Sequence, residues 1–155
     1  MKNFFKISYV TLVCLTLVMT GCSDDDNTDN IGTPIPSTIL KGKVYGKDFT
    51  AKGGKSFASG KDGEVSINIT NEEVGCDSDI FDYKLEVSLL VEGKVGTYND
   101  VNVVFKDGEG NLVNVLGSNV EVVSISDSKI NLKIEAKSID KQNKVSGSFE
   151  VEYCK

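Results

Sequence analysis

Ile130-Asn131-Leu132-Lys133-Ile134-Glu135-Ala136-Lys137 alternates apolar and polar residues over eight consecutive positions. An extended chain sends successive side chains to opposite faces, so this order sorts into one dry face and one wet face; a helix would scatter it around all sides. The same period of two recurs elsewhere. Tyr83, Leu85, Val87, Leu89 and Val91 alternate with Lys84, Glu86, Ser88, Leu90 and Glu92, and Val65, Ile67 and Ile69 with Ser66, Asn68 and Thr70. Val101, Val103 and Phe105 stand opposite Asn102 and Lys106, and Val145, Gly147, Phe149, Val151 and Tyr153 opposite Ser146, Ser148, Glu150 and Glu152. Within Val120–Ser126 the apolar phase slips between Val122 and Val123, which predicts a bulge that turns the strand.

Turn chemistry falls between these runs, at Lys61-Asp62-Gly63, Asp107-Gly108-Glu109-Gly110, Ser126-Asp127-Ser128 and Asp140-Lys141-Gln142-Asn143. Short polar links between alternating strands make antiparallel hairpins. No stretch of ten or more residues carries an apolar stripe at helical spacing. Residues 39–155 therefore read as a single all-β domain, an antiparallel meander of about 8 to 10 strands whose apolar faces bury one another in a sandwich or a small barrel.

The front of the chain has a different character. Lys2 and Lys6 precede an apolar run from Ile7 to Met19, followed by Thr20-Gly21-Cys22 and Ser23-Asp24-Asp25-Asp26. A basic start, a short apolar core and small residues before a cleavage point make a secretory signal over residues 1–21. The core of 13 residues is shorter than the roughly 20 that span a bilayer. Residues 22–38 follow as an acidic tether, too polar to bury through Asp29 and Asn30 and kept from regular pairing by Pro34 and Pro36.

Composition excludes more than it includes. All 17 basic residues are lysine, and the chain has no histidine, arginine or tryptophan. Without histidine there is no Ser-His-Asp or Cys-His nucleophile pair and no imidazole ligand for zinc or iron. Without arginine there is no bidentate fork for phosphate. Once residues 1–21 are removed, 15 lysines face 23 acids, a net charge of −8 that repels nucleic acid and anionic headgroups. No cofactor is implied.

Of the four cysteines, Cys14 leaves with the signal, and Cys76 and Cys154 remain in the domain. Two thiols in an oxidising compartment predict one disulfide. Glu72, Glu73, Asp77, Asp79 and Asp82 cluster around Cys76; Asp77, Asp79 and Asp82 are candidate ligands for a hard cation, or a source of paired carboxylates for glycoside cleavage. As an acidic loop tip the cluster needs neither role. Asp107, Glu109 and Asn111 have the first spacings of a calcium loop, but Leu112 stands where glycine is needed and Ser118 where the closing Glu belongs, so a hairpin turn is expected. Tyr45 and Tyr98 are the aromatic residues off the core phase that could stack on a ligand.

Met19-Thr20-Gly21-Cys22 resembles a bacterial lipobox, which implies that Cys22 becomes the acylated N-terminus. Ser23, Asp24, Asp25 and Asp26 resemble the acidic export signal of Bacteroidota surface lipoproteins, which implies an outer-membrane protein facing the cell exterior. In the domain, Gly42-Lys43-Val44-Tyr45-Gly46-Lys47-Asp48-Phe49-Thr50-Ala51, Gly96-Thr97-Tyr98-Asn99 and Val145-Ser146-Gly147-Ser148-Phe149 resemble small β-rich lipoproteins common in Bacteroidota. That resemblance implies a fold and a location and brings no activity or site residues. Two functional classes stand: a noncatalytic surface module that contacts a protein or glycan partner, and a carboxylate-dependent hydrolase or cation-binding protein centred on Asp77, Asp79 and Asp82.

Cys22→Ser is expected to leave an unprocessed or unanchored chain, measured by membrane fractionation. Replacing Asp24, Asp25 and Asp26 with Ala is expected to keep the anchor yet protect the chain from protease added to intact cells. Membrane partitioning of the Cys22 variant at the mature mass, or unchanged protease sensitivity of the triple variant, contradicts the respective assignment.

Overall fold

The computed structural model describes residues 34–59, 63–78, 82–90 and 94–155. Cys22, Ser23, Asp24, Asp25, Asp26, the first part of the tether, Lys61, Asp62, Asp79, Val91 and Glu92 lie outside the described residues. Nine strands are described: β1 Lys41–Val44, β2 Lys47–Thr50, β3 Gly53–Ala58, β4 Glu64–Thr70, β5 Leu85–Leu90, β6 Gly96–Lys106, β7 Leu112–Ile125, β8 Lys129–Lys137 and β9 Lys144–Tyr153. The alternating segments are strands, as their period demands.

Of the two expected architectures, the chain adopts the barrel. Strands β9-β3-β4-β5-β6-β7-β8 follow one another by hydrogen bonding, and β8 pairs back onto β9 to close a seven-stranded ring. The β1–β2 hairpin is added to β9 outside the ring. All ring pairings are antiparallel except β3 with β9, which is parallel. The dry faces point inward. Ile67, Ile69, Leu85, Val87, Val103, Phe105, Val120, Val122, Leu132, Ile134 and Val145 are enclosed, each contributing about 1.5 to 3 kcal/mol by leaving water. On the wet side, Lys133 and Glu121 pair across β7 and β8 at 3.0 Å.

The expected phase slip is present. Val122 pairs with Leu132 and Ser124 with Asn131, so Val123 is the extra residue of a β-bulge. It stands partly exposed while Val120 and Val122 stay in the core. Two further register shifts lie between β6 and β7, around Val101 and its partner Ser118, with Asp100 (φ 58°) and Gly117 (φ 78°) in the left-handed region. Bulges raise local twist and bend, which a small closed ring requires.

Three expectations are corrected. Ser66, Asn68 and Thr70, read as the wet face of β4, are buried: the segment after β4 folds over Asn68 and Thr70, its Val74 carbonyl accepting from the Gly54 N–H at 2.9 Å and its Ser78 carbonyl from the Lys55 ammonium at 2.8 Å, while Ser66 lies against the Glu86 carboxylate. Strand β5 begins at Leu85 rather than Tyr83. The Tyr83 ring lies beneath the Lys106 ammonium, 4.8 Å from centroid to nitrogen, rather than in the core phase. The end of the tether is not free either. Ile35 is buried, and the Thr38 carbonyl accepts from the Ser148 N–H at 2.7 Å. That crossing needs Gly147, whose φ of 140° and 2.7 Å clearance from the Thr38 and Ile39 carbonyl oxygens leave no room for a Cβ.

The ring closes at a narrow seam. Lys55 pairs with Glu152 and Ser56 with Tyr153, and the Ser56 hydroxyl adds a bond to the Glu152 carbonyl at 2.9 Å. The Cys154 N–H donates to the Ser56 carbonyl at 2.8 Å, and the Glu152 carboxylate accepts from the Cys76 N–H at 2.7 Å. A disulfide joins Cys76 to Cys154 across this seam, with Cα atoms 5.5 Å apart. It pairs the two cysteines that the sequence leaves in the domain.

The crosslink spans 78 residues of sequence, and the chain-entropy account values such a loop at roughly 4 to 5 kcal/mol as an upper figure. Reducing the bond in the full chain is expected to lower the denaturant midpoint and the Tm accordingly. An unchanged midpoint on reduction would show that the hydrogen bonds hold the seam without it.

Candidate functional site

Register places the ends of three strands together. Ile69 pairs with Leu85 and Leu85 with Phe105, so β4 ends, β5 begins and β6 ends at the same rim of the barrel. The ladder continues one step into the connections, where the Lys84 N–H donates to the Ile69 carbonyl and the Lys106 N–H to the Lys84 carbonyl, both at 2.9 Å. The β1–β2 turn stands beside this rim. Between them lies a cleft of about 220 Å³ lined by Val44, Tyr45, Lys47, Asp48, Phe49, Asn71, Lys84, Lys106, Asp107 and Gly108.

Tyr45 and Gly46 form a two-residue hairpin turn, both with positive φ, 48° and 74°. Glycine takes that conformation freely, whereas a bulky residue there costs about 1 to 2 kcal/mol. Neighbours hold Tyr45 in it. Its N–H donates to the Asn143 side-chain oxygen at 2.8 Å, and the Gly46 N–H donates to the Gln142 carbonyl at 2.8 Å. Asn143 is itself buried and clasped by Ser138, whose hydroxyl accepts from the Asn143 N–H at 3.0 Å. The turn expected at Asp140–Asn143 is thus the brace for the turn that carries Tyr45.

The charged groups are positioned too. Asp107 caps the β6–β7 turn: Oδ1 accepts from the Glu109 and Asn111 N–H groups at 2.8 Å each, and Oδ2 from the Asn111 side-chain amide at 2.7 Å. The Asn111 side chain and then these backbone donors hold the Asp107 carboxyl below the usual carboxylate range. This is the hairpin turn expected at Asp107, Glu109 and Asn111. Lys84 pairs with Asp82 at 2.8 Å. Lys106 lies over Tyr83, whose phenol is pushed up to about 12 by burial and by the Glu86 carboxylate. Burial and then the Asp107 charge push the Tyr45 phenol up as well, and its hydroxyl is buried with no hydrogen-bond partner among the described residues.

The other candidate residues are dispersed. Tyr98 packs partly against the core from β6, its hydroxyl donating to the Lys94 carbonyl at 3.2 Å, and it does not line the cleft with Tyr45. The two tyrosines therefore form no shared platform. Asp77 is exposed, and Asp79 lies outside the described residues. Asp82 borders a separate cavity of about 20 Å³, with Glu72, Asn68 and Tyr83 in its lining and Asp77 absent from it. That volume suits one water molecule. Among the described residues no group of three or more Cys, Asp or Glu side chains is placed to hold a metal ion. Lys47, Asp48, Asn71, Lys84 and Lys106 were not legible as site residues, because they come from three separate places, the β1–β2 hairpin, the β4–β5 connection and the end of β6, that only the folded barrel unites.

Asn143→Ala removes the acceptor for the Tyr45 N–H and a buried side chain from the brace. Leaving such a donor without a partner costs about 1 to 3 kcal/mol. The variant is expected to lose that much stability in denaturant titration, with the β1–β2 turn becoming the fastest-exchanging part of the hairpin in hydrogen exchange; a change under about 0.5 kcal/mol, the ordinary surface range, would show that the turn holds itself.

Set beside known proteins, the chain matches no family model, no curated protein and no solved structure.

Proposed function

We propose that the chain is a lipid-anchored outer-membrane protein, held by acyl chains on Cys22 and facing the cell exterior, whose barrel is a noncatalytic binding module. Its ligand site is the cleft beside Tyr45. The observation that carries this reading is that cleft: a concavity at the mouth of a barrel, lined by apolar and charged side chains from several connections, is where β-barrels take small ligands. Support also comes from the way its frame is set in advance. Tyr45 and Asp107 are fixed by hydrogen bonds within the protein and Lys84 by its ion pair, which reduces the ordering cost of binding. The acidic residues after the signal support the outward orientation, and the net negative charge argues against a nucleic-acid partner.

A hydrolase acting at this cleft, rather than at Asp77, Asp79 and Asp82, would require two acids there free to exchange a proton at a substrate. Asp107 is engaged by three donors, and a carboxylate held ionised in this way makes a poor proton donor. A binding role uses the same groups without that demand.

The full chain is to be screened by thermal shift with small sugars, sugar acids and short peptides. A ligand at a hundredfold excess over its Kd stabilises by about 2.7 kcal/mol. Compounds that raise the Tm are expected back chemically unchanged after prolonged incubation. Recovery of a cleaved product would overturn the noncatalytic reading.

A further inference from the structure

We infer that the cleft is a slot for the carboxylate of a small ring-bearing acid, with the Lys106 ammonium as its counter-ion. The inference rests on the binding-module reading and names the ligand class of that site. The chain carries 23 acids against 17 bases, so lysines have carboxylates in excess to pair with. Lys84, Lys129, Lys133 and Lys155 pair with described carboxylates at 2.6 to 3.4 Å. Lys106 is half-buried and lines the cleft, and no described carboxylate pairs with it. Beneath it is the Tyr83 ring. A ring attracts an ammonium without neutralising it, and with its phenol pushed up to about 12 Tyr83 supplies no anion at neutral pH.

The nearby acids are largely committed. Asp82 is paired with Lys84, Glu86 is hydrogen-bonded to the Tyr83 phenol, and Asp107, still ionised, has two donors on Oδ1 and one on Oδ2. Of the remaining charged lining, Lys47 adds a second ammonium and Asp48 one carboxylate, both exposed. With Lys84 offset by Asp82, Lys47 and Lys106 stand against Asp48 and Asp107, so the lining is neutral where the molecule as a whole is acidic, and it opposes an anion less than the rest of the surface does. An ammonium partly withdrawn from water gains more from a carboxylate than an exposed one does.

Size and apolar lining select the rest of the ligand. The cleft of about 220 Å³ is smaller than the roughly 300 Å³ at which drug-sized pockets begin and near the size of one substituted ring. Val44, Tyr45 and Phe49 supply its apolar side. Tyr45 contributes to that side from a left-handed turn position, where Gly or Asn would be easier to hold. Strain of this kind persists where the surroundings over-determine it, as Asn143 and Gln142 do here.

The test uses the full chain and four probes: glucuronate, its neutral counterpart glucose, benzoate and inorganic phosphate. Binding is read by ligand-observed NMR and by tyrosine fluorescence, which no tryptophan masks in this protein. Glucuronate or benzoate is expected to bind with a Kd of about 1 mM or tighter at low salt, and glucose and phosphate at least tenfold more weakly. Lys106→Gln is expected to weaken the acid roughly tenfold or more, Lys106→Arg to retain it, and Lys129→Gln, on the barrel's outer face, to leave it unchanged. Equal affinity for glucuronate and glucose, equal affinity for phosphate, or full affinity in Lys106→Gln each overturns the inference. Should Lys106→Gln fail to fold, the acid-against-neutral comparison in the parent, with the Arg variant, decides alone. Absence of binding by either acid overturns the carboxylate slot and leaves the module reading, which is tested separately by whether retrieved ligands come back intact.

Discussion

Two residue pairs make the parallel ladder between β3 and β9, and the remainder of the barrel depends on them. Every other ring junction spans at least three pairs, up to the nine between β8 and β9. A sheet of this length and twist left open would expose backbone donors and acceptors along two edges, and its inner face would stay wet. Closure solves both problems at once. The seam is reinforced by groups that add no width: the Ser56 hydroxyl, the Glu152 carboxylate and the Cys76–Cys154 bond. The same disulfide ties down the segment after β4, so the covering of Asn68 and Thr70 and the closing of the ring share one fastening.

The cleft follows from closure. Its lining comes from the β1–β2 turn, the end of β4, the approach to β5 and the end of β6, which lie far apart in sequence. Their alignment is set by register, in particular Ile69 with Leu85 and Leu85 with Phe105. Rigid strands therefore position the lysines, while hydrogen-bonded turns position Tyr45 and Asp107. Charge is distributed unevenly by the same means. A chain with an acid excess presents, at this rim, a half-buried ammonium that no described carboxylate neutralises.

What could be read from the residues was what depends on local period. The strands β4, β8 and β9, the core of β5 and β6 and the Val123 bulge follow from alternation alone, because one register buries all the apolar side chains. Strand β3 could not be read. Its Gly53-Gly54 start has no side chains to alternate: the Glu72–Val74 backbone passes within 2.2 to 2.6 Å of where a Cβ on Gly53 would stand, and the Asn68 carbonyl oxygen lies 2.4 Å from where one on Gly54 would. The first half of β7 was hidden as well, since Leu112 and Leu116 point apolar side chains at solvent and the register shifts around Val101 break the phase. Tyr45 was visible as an aromatic off the core phase. Its neighbours in the cleft were not, since nothing in the local pattern of Lys84 or Lys106 tells a cleft wall from a solvated strand end.

Strand β9 also governs when the molecule can form. Lys144–Ser146 pair with β1, more than a hundred residues earlier, while the rest of the strand pairs with β8 and reaches β3. Until those residues are present, the neighbouring flanks of β1, β3 and β8 have no partner. Contacts of such wide sequence separation slow folding, because the entropy of closing a long loop is spent before any pairing returns it. A chain emerging in order from its N-terminus thus remains an open, adhesive sheet until β9 arrives. Its vulnerability to misassembly is greatest just before β9 pairs, and any helper that shields unpaired strands acts in that interval.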